Sequence, residues 1–181
     1  MEKVLDVYKR PYDVSNPVVC MDESPKQLIK ETRKNIPITK GIEARTDYEY
    51  ERCGVCNIFI ANEPLRGKRV VKITERKTRT DWAEFIKQIV DENYPKAKRI
   101  WDRFEFVYTP RHRSWLNMAE IELNVLMGQC LNRNIDNLKT KKHELAAWQN
   151  KRNNKNSKIN WQFTTKDARI KLKKLYPSIQ N

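Results

Sequence analysis

No apolar run in this 181-residue chain is long enough to span a bilayer: the longest, such as Pro17 to Met21 and Ile58 to Ala61, hold four or five residues where about 20 are needed. The first ten residues mix charges where a secretory leader would be apolar, so a soluble, unexported, cytoplasmic protein is expected. Cysteine is sparse as well. Four residues do not make a disulfide framework in a chain of this size, and they are expected as reduced thiols. Neither an internal repeat nor a long linker is present, which points to a continuous chain able to bury roughly 70% of its unfolded surface.

Acidic residues are in short supply: 23 stand against 37 Lys and Arg, for a net charge of +14. The excess is uneven. Lys139 to Lys174 holds twelve Lys or Arg and two acids, Glu144 and Asp167, and so carries ten of the fourteen charges. A basic block favours polyanions, because each neutralised phosphate releases condensed counterions, and nucleic acid is the default partner. A solvated helix face explains the same composition without any ligand. Trp148 and Trp161 lie in this block, either as stacking surfaces or as anchors to a core.

Periodicity predicts the elements. Met1, Val4, Leu5 and Tyr8 share a helical face. Pro11 and Pro17 follow, and Val18 to Met21 reads as a buried strand with Asp22 at its C-terminal end. Asp47 to Tyr50, Val55 to Ala61 and Arg69 to Thr74 read as strands of an antiparallel meander. Asp81, with Glu84 three residues on, predicts the cap of a helix whose inner face is Trp82, Phe85, Ile86, Ile89 and Val90, stopped at Tyr94-Pro95. Phe104, Phe106 and Tyr108 alternate with Glu105 and Val107 as a strand ending at Thr109-Pro110. A second long helix is predicted from about Leu116 to Cys130, with Met118, Ile121, Val125 and Met127 among its apolar positions and Glu120 near its start. Helices over Leu138 to Lys151 and Thr165 to Leu175 complete the chain. Residues 1–135 are expected as an α/β domain and 136–181 as a basic helical extension.

That order is close to a ribonuclease H-like domain, a mixed sheet flanked by helices. An acid after the first strand and another on a late helix could converge there to hold divalent metal, since Mg²⁺ takes hard oxygen ligands and a metal pair clamps the attacking and leaving oxygens of phosphoryl transfer. Spacing alone does not select this reading, because a turn accounts for Asp22 and a solvated face for Glu120.

The segments Val19-Cys20-Met21-Asp22-Glu23-Ser24, Tyr48-Glu49-Tyr50-Glu51, Thr74-Glu75-Arg76, Tyr108-Thr109-Pro110-Arg111-His112, Ser114-Trp115-Leu116-Asn117-Met118-Ala119-Glu120-Ile121-Glu122 and Trp161-Gln162-Phe163-Thr164-Thr165, through Leu175-Tyr176-Pro177, resemble the mariner-like DDE transposases of bacterial insertion sequences. The likeness runs over nearly the whole chain. It implies that Asp22 and Glu120 are the first and third catalytic acids. It further implies Mg²⁺ or Mn²⁺ as cofactor, transposon ends and target DNA as substrates, nucleoid association when DNA is bound, and self-association or association with intact transposase.

The chain also departs from that family. The apolar strand ending in Asp-Asn-x-x-x-His, which carries the second acid, is expected between the capped helix and the aromatic strand. Here Tyr94-Pro95-Lys96-Ala97-Lys98-Arg99-Ile100 runs straight into Trp101-Asp102-Arg103-Phe104, as after an internal deletion of the fourth strand and its following helix. The family's N-terminal helix-turn-helix has no counterpart ahead of Val18, and Arg113 stands where the family usually has Gly. Neither Asp91 nor Asp102 is expected to substitute for the second acid. An empty strand slot would leave buried backbone groups unpaired at roughly 1–3 kcal/mol each, so Phe104 to Tyr108 is predicted to move in beside Pro17 to Met21.

Arg111, His112 and Arg113, and further on Lys158 and Lys171, are the candidate nucleic-acid contacts; a solvated loop is the alternative for the first three. Cys53-Gly54-Val55-Cys56 has zinc spacing without a second Cys pair, so two ordinary thiols are the alternative to a small zinc-containing nucleic-acid module. Three functions follow: a metal-dependent transposase nuclease, a non-catalytic remnant that binds DNA or transposase, and the zinc module. The missing second Asp favours an inactive form of the transposase domain.

Overall fold

The computed structural model describes residues 1–33, 39–41, 49–94, 104–111 and 113–173. Helix α1 (Glu2–Tyr8) leads into β1 (Cys20–Glu31), β2 (Tyr50–Glu63) and β3 (Lys68–Thr74), followed by α2 (Arg79–Asn93). A 3-10 turn (Ser114–Leu116) precedes α3 (Met118–Gln129), α4 (Leu138–Asn154) and α5 (Thr165–Lys171). The strands form one antiparallel sheet in the order β1-β2-β3, with Asp22 opposite Ile60 and Asn62 between Cys20 and Arg69. Among the described residues no helix is long and apolar enough to cross a membrane.

Strand alternation sends the side chains of β2 to two cores. Phe59 and Ala61, with Val70 of β3, meet Phe85 and Ile89 of α2 on one face. Ile58 and Ile60, with Ile73, meet Leu123 and Leu126 of α3 and Leu145 and Trp148 of α4 on the other. A three-layer α/β/α sandwich results, and α4, from the basic block, supplies part of its core. The first half of β2, Tyr50 to Val55, is exposed on both faces. A third apolar cluster, Leu5, Leu116 and Ala168, ties α1, the 3-10 turn and α5 together.

The predicted helices form, with adjustments. Thr78, not Asp81, caps α2: its hydroxyl accepts from Asp81 N while the Asp81 carboxylate accepts from Thr78 N, a capping box whose cap lies three residues earlier than expected. Tyr94 ends that helix as predicted. In α3 the buried stripe is Met118, Ala119, Glu122, Leu123 and Leu126, and Ile121 is exposed, because Glu122 takes a core position that ion pairing makes tenable.

Two strand predictions are corrected. Asp22 is the third residue of β1, not its end, because pairing with β2 continues to Glu31 opposite Tyr50. Phe104 to Tyr108 is not a strand and does not pair with β1. Its rings stack on one another along an extended segment, and Glu105 pairs with Arg10 (3.1 Å) next to α1. The reason lies in the β1 edge, which is already closed. Asn117 Nδ2 donates to Met21 O (2.7 Å), Glu23 N to the Asp22 carboxylate (2.8 Å) and Lys141 Nζ to Gln27 O (2.9 Å). Ile29 N bonds Ile135 O (3.1 Å), and Pro25, at an intervening outward position, has no N–H to satisfy. Asp47, Tyr48, Pro95 to Arg103, His112 and the end of the last predicted helix lie outside the described residues.

Candidate metal centre

Pleating places Asp22 on the face of β1 that looks toward α3, and α3 begins beside it. Asn117 is the N-cap of α3: its Oδ1 accepts from Ala119 N (3.1 Å) and its backbone carbonyl from Glu120 N (3.1 Å). Glu120 therefore stands in the first turn, where the positive end of the helix dipole favours a carboxylate. The Asn117 amide also donates to Asp22 Oδ2 (3.1 Å). Tyr8 fixes this junction from α1, its hydroxyl donating to Leu116 O (2.8 Å) and accepting from Met118 N (3.3 Å). Burial holds the Tyr8 hydroxyl far above its ordinary pKa, so it stays a neutral donor.

Asp22 and Glu120 share one field. Burial pushes the Asp22 carboxyl above its usual range, the bond from Glu23 N opposes this, and the Glu120 and Glu23 charges push it further up. Glu23, on the opposite face of the strand, is paired with Lys77. Asp22 and Glu120 carry the hard oxygen donors that Mg²⁺ takes, and Mg²⁺ is commonly held by one or two carboxylates plus water and substrate phosphate. Among the described residues no group of three or more His, Cys, Asp or Glu side chains converges.

The other candidates are dispersed. Arg111 is exposed and Arg113 half-buried, immediately before the 3-10 turn. Lys171 lies over the Phe163 ring (5.8 Å), which packs edge-on against Trp115 (5.5 Å), so α5 reaches the same turn. Lys158 lies elsewhere, beside the β2–β3 turn, where Ile159 N bonds Pro64 O (2.9 Å). Cys53 is exposed and Cys56 buried within β2. Asp91 pairs with Lys87 on the outside of α2 (3.3 Å).

Sequence reasoning missed three side chains. Asn117 lay in view in the Ser-Trp-Leu-Asn segment, and an Asn immediately before a helix was a usable cap signal. Tyr8 showed only as part of an apolar face. Glu122 gave no signal at all: it is fully buried and takes Arg69 Nε (3.1 Å) and Arg152 (2.7 Å) from β3 and α4.

No curated protein and no solved structure matches the chain. Residues 17–101, which include Asp22 and stop short of Glu120, match the family model described as DDE superfamily endonuclease, and this match supports that superfamily for the segment holding the sheet and α2.

Proposed function

We propose that the chain is the catalytic-domain portion of a mariner-like DDE transposase of the bacterial insertion-sequence type, ribonuclease H-like in descent, with Asp22 and Glu120 as its first and third acids. It binds DNA and one divalent ion, Mg²⁺ or Mn²⁺, without cleaving a strand. The observation that carries this reading is that Asn117 joins the two elements, its amide donating to Asp22 of β1 and its carbonyl accepting from the backbone N–H of Glu120 in the first turn of α3. A superfamily match that includes Asp22 supports it.

A bound divalent ion would polarise a phosphoryl oxygen and lower the pKa of a coordinated water. The chain's own residues orient the two carboxylates: the Glu23 amide and the Asn117 side chain each donate to one Asp22 oxygen, while Glu120 stands in the first turn of α3. A pair of acids neutralises one cation. In-line displacement between two cations needs a further carboxylate, and the Asp-Asn-x-x-x-His segment that would bring it is not in the sequence. The reading therefore separates binding from cutting.

Arg111, Arg113, Lys158 and Lys171 are the proposed DNA contacts, with His112 beside the first two. Removing the whole basic block is a poor test, because Leu145 and Trp148 belong to the core. Charge reversal at Lys158 and Lys171 is the better one. Duplex affinity should fall steeply with salt, and each reversal that removes a phosphate contact should reduce the log–log slope by about 0.9. Mn²⁺ binding is expected for the full chain and is expected to vanish in Glu120→Gln. Nicking of a transposon-end duplex that depends on Glu120 would overturn the non-cleaving reading, and salt-indifferent affinity would overturn the DNA assignment.

A further inference from the structure

We infer that Asn117 is a positioning residue that fixes the Asp22 carboxylate to the start of α3, where Glu120 stands, and that its amide, not its capping role, is what the site requires. The inference rests on the proposed metal-binding reading for its purpose, and on geometry for its content.

A helix cap needs only an acceptor. Ser, Thr, Asp and Asn all supply one, and Asn117 spends its Oδ1 this way on Ala119 N. The opposite end of the same side chain does something no other capping residue can do. Its Nδ2 carries two N–H groups and meets two acceptors, Met21 O at 2.7 Å and Asp22 Oδ2 at 3.1 Å. The amide orientation is thus set from both ends, with the carbonyl on the helix and the amine on the strand. One side chain thereby joins three things: the start of α3, the outer edge of β1 and the carboxylate itself.

The backbone of the same residue accepts from Glu120 N (3.1 Å), so both acids are referred to a single residue. Tyr8 stiffens that reference from the other side by bonding Leu116 O and Met118 N, the residues on either side of Asn117. Serine at this position would keep the cap but could not span to both strand acceptors. Aspartate would keep the cap and face Met21 O and Asp22 with no donor at all, adding a like charge.

The test uses the full chain and two independent readouts. In the metal-free protein, the side-chain ¹⁵N–H₂ signals of Asn117, assigned by their loss in Asn117→Ser, should shift on Asp22→Ala, with the isosteric Asp22→Asn as the control should the first variant not fold. Signals indifferent to both changes would overturn the inference whatever the metal data show. The second readout is Mn²⁺ affinity from water-proton relaxation. Asn117→Ser should melt within about 3 °C of wild type, as expected for exchange of one cap for another, yet bind Mn²⁺ at least about tenfold more weakly. Asn117→Thr serves the same purpose should the Ser variant fail to fold. Equal Mn²⁺ affinity in a folded Asn117→Ser or Asn117→Thr would also overturn the inference. A wild-type chain that binds no Mn²⁺ would instead refute the proposed metal function, and the amide signals would then decide the role of Asn117 on their own.

Discussion

The two outer edges of the sheet are both closed largely by side chains, but by different chemistry. At β3, two neutral amides from α4 take the place of a neighbouring strand. Gln149 accepts from Val71 N (2.6 Å), and Asn153 accepts from Arg69 N (2.9 Å) while donating to Arg69 O (2.9 Å). Four residues apart, the two amides fall on one helical face and match the two-residue repeat of the strand. Behind them Arg69, Glu122 and Arg152 form a buried ionic set, with Arg69 also donating to Ser157 O (2.7 Å). At β1 the closing groups are mixed, two titratable side chains, the Asn117 amide and the Ile135 backbone carbonyl. Asp22 and Lys141 each hold a backbone group, and Asn117 bridges the strand to the candidate site. The β3 edge is thus a structural seal, whereas the β1 edge is closed in part by the same atoms that line the proposed metal centre.

The strongest way to break this contrast is Glu122→Ala. It leaves two guanidinium groups facing one another in the core, and loss of one member of such a buried set costs about 3–5 kcal/mol. Urea unfolding should show this loss, with many molecules unfolded at 37 °C. A variant that retained wild-type stability would mean the network contributes nothing to the seal. Asn153→Ala should cost less, about 2 kcal/mol, from two backbone groups of Arg69 losing their partner, and should speed hydrogen exchange at the Arg69 amide more than at any β1 amide.

The smallest effect belongs to the β1 edge and concerns pH. Lys141 is buried with its ammonium on Gln27 O, and burial pulls its pKa below the ordinary lysine value of 10.5. Between the depressed folded value and 10.5 the unfolded chain binds more protons than the folded one, so stability rises with pH through that window. Below the window the contribution is flat. Lys141→Met should remove the alkaline rise measured by denaturation at successive pH values, and persistence of the full rise would place its origin in another group.

The fold was legible where a single local signal decided it. Phe85, Ile86, Ile89 and Val90 repeat at helical spacing and are buried, and the meander is present with its strands in sequence order, although Tyr50, expected in a strand before the one holding Val55 to Ala61, is the first residue of that same strand. Phe104 to Tyr108 shows the limit of alternation: it marks a chain that can be extended but cannot say that an edge is free to receive it. That edge is closed by Asn117, Ile135 and Lys141, contacts 95 or more residues away from Met21 to Ile29 that no local window holds. Asp22 and Glu120 were visible through the motifs around them. Glu122, two residues on, was not, because its place depends on Arg69 and Arg152, which carry no distinguishing pattern in a chain this basic. Gln149 and Asn153 likewise look like part of an ordinary wet helix face until the strand beside them is known.

The seal on β3 also has a consequence in time. Asn153 closes a strand at Arg69, 84 residues earlier, so a growing polypeptide exposes that edge until α4 has been made. At about 5–20 residues per second this amounts to roughly 4–17 s of synthesis with an open hydrogen-bonding edge. The basic helix α4 is thus the step that ends a vulnerable interval, and a ribosome that stalls before residue 153 would release a sheet with one side still able to pair with a neighbour.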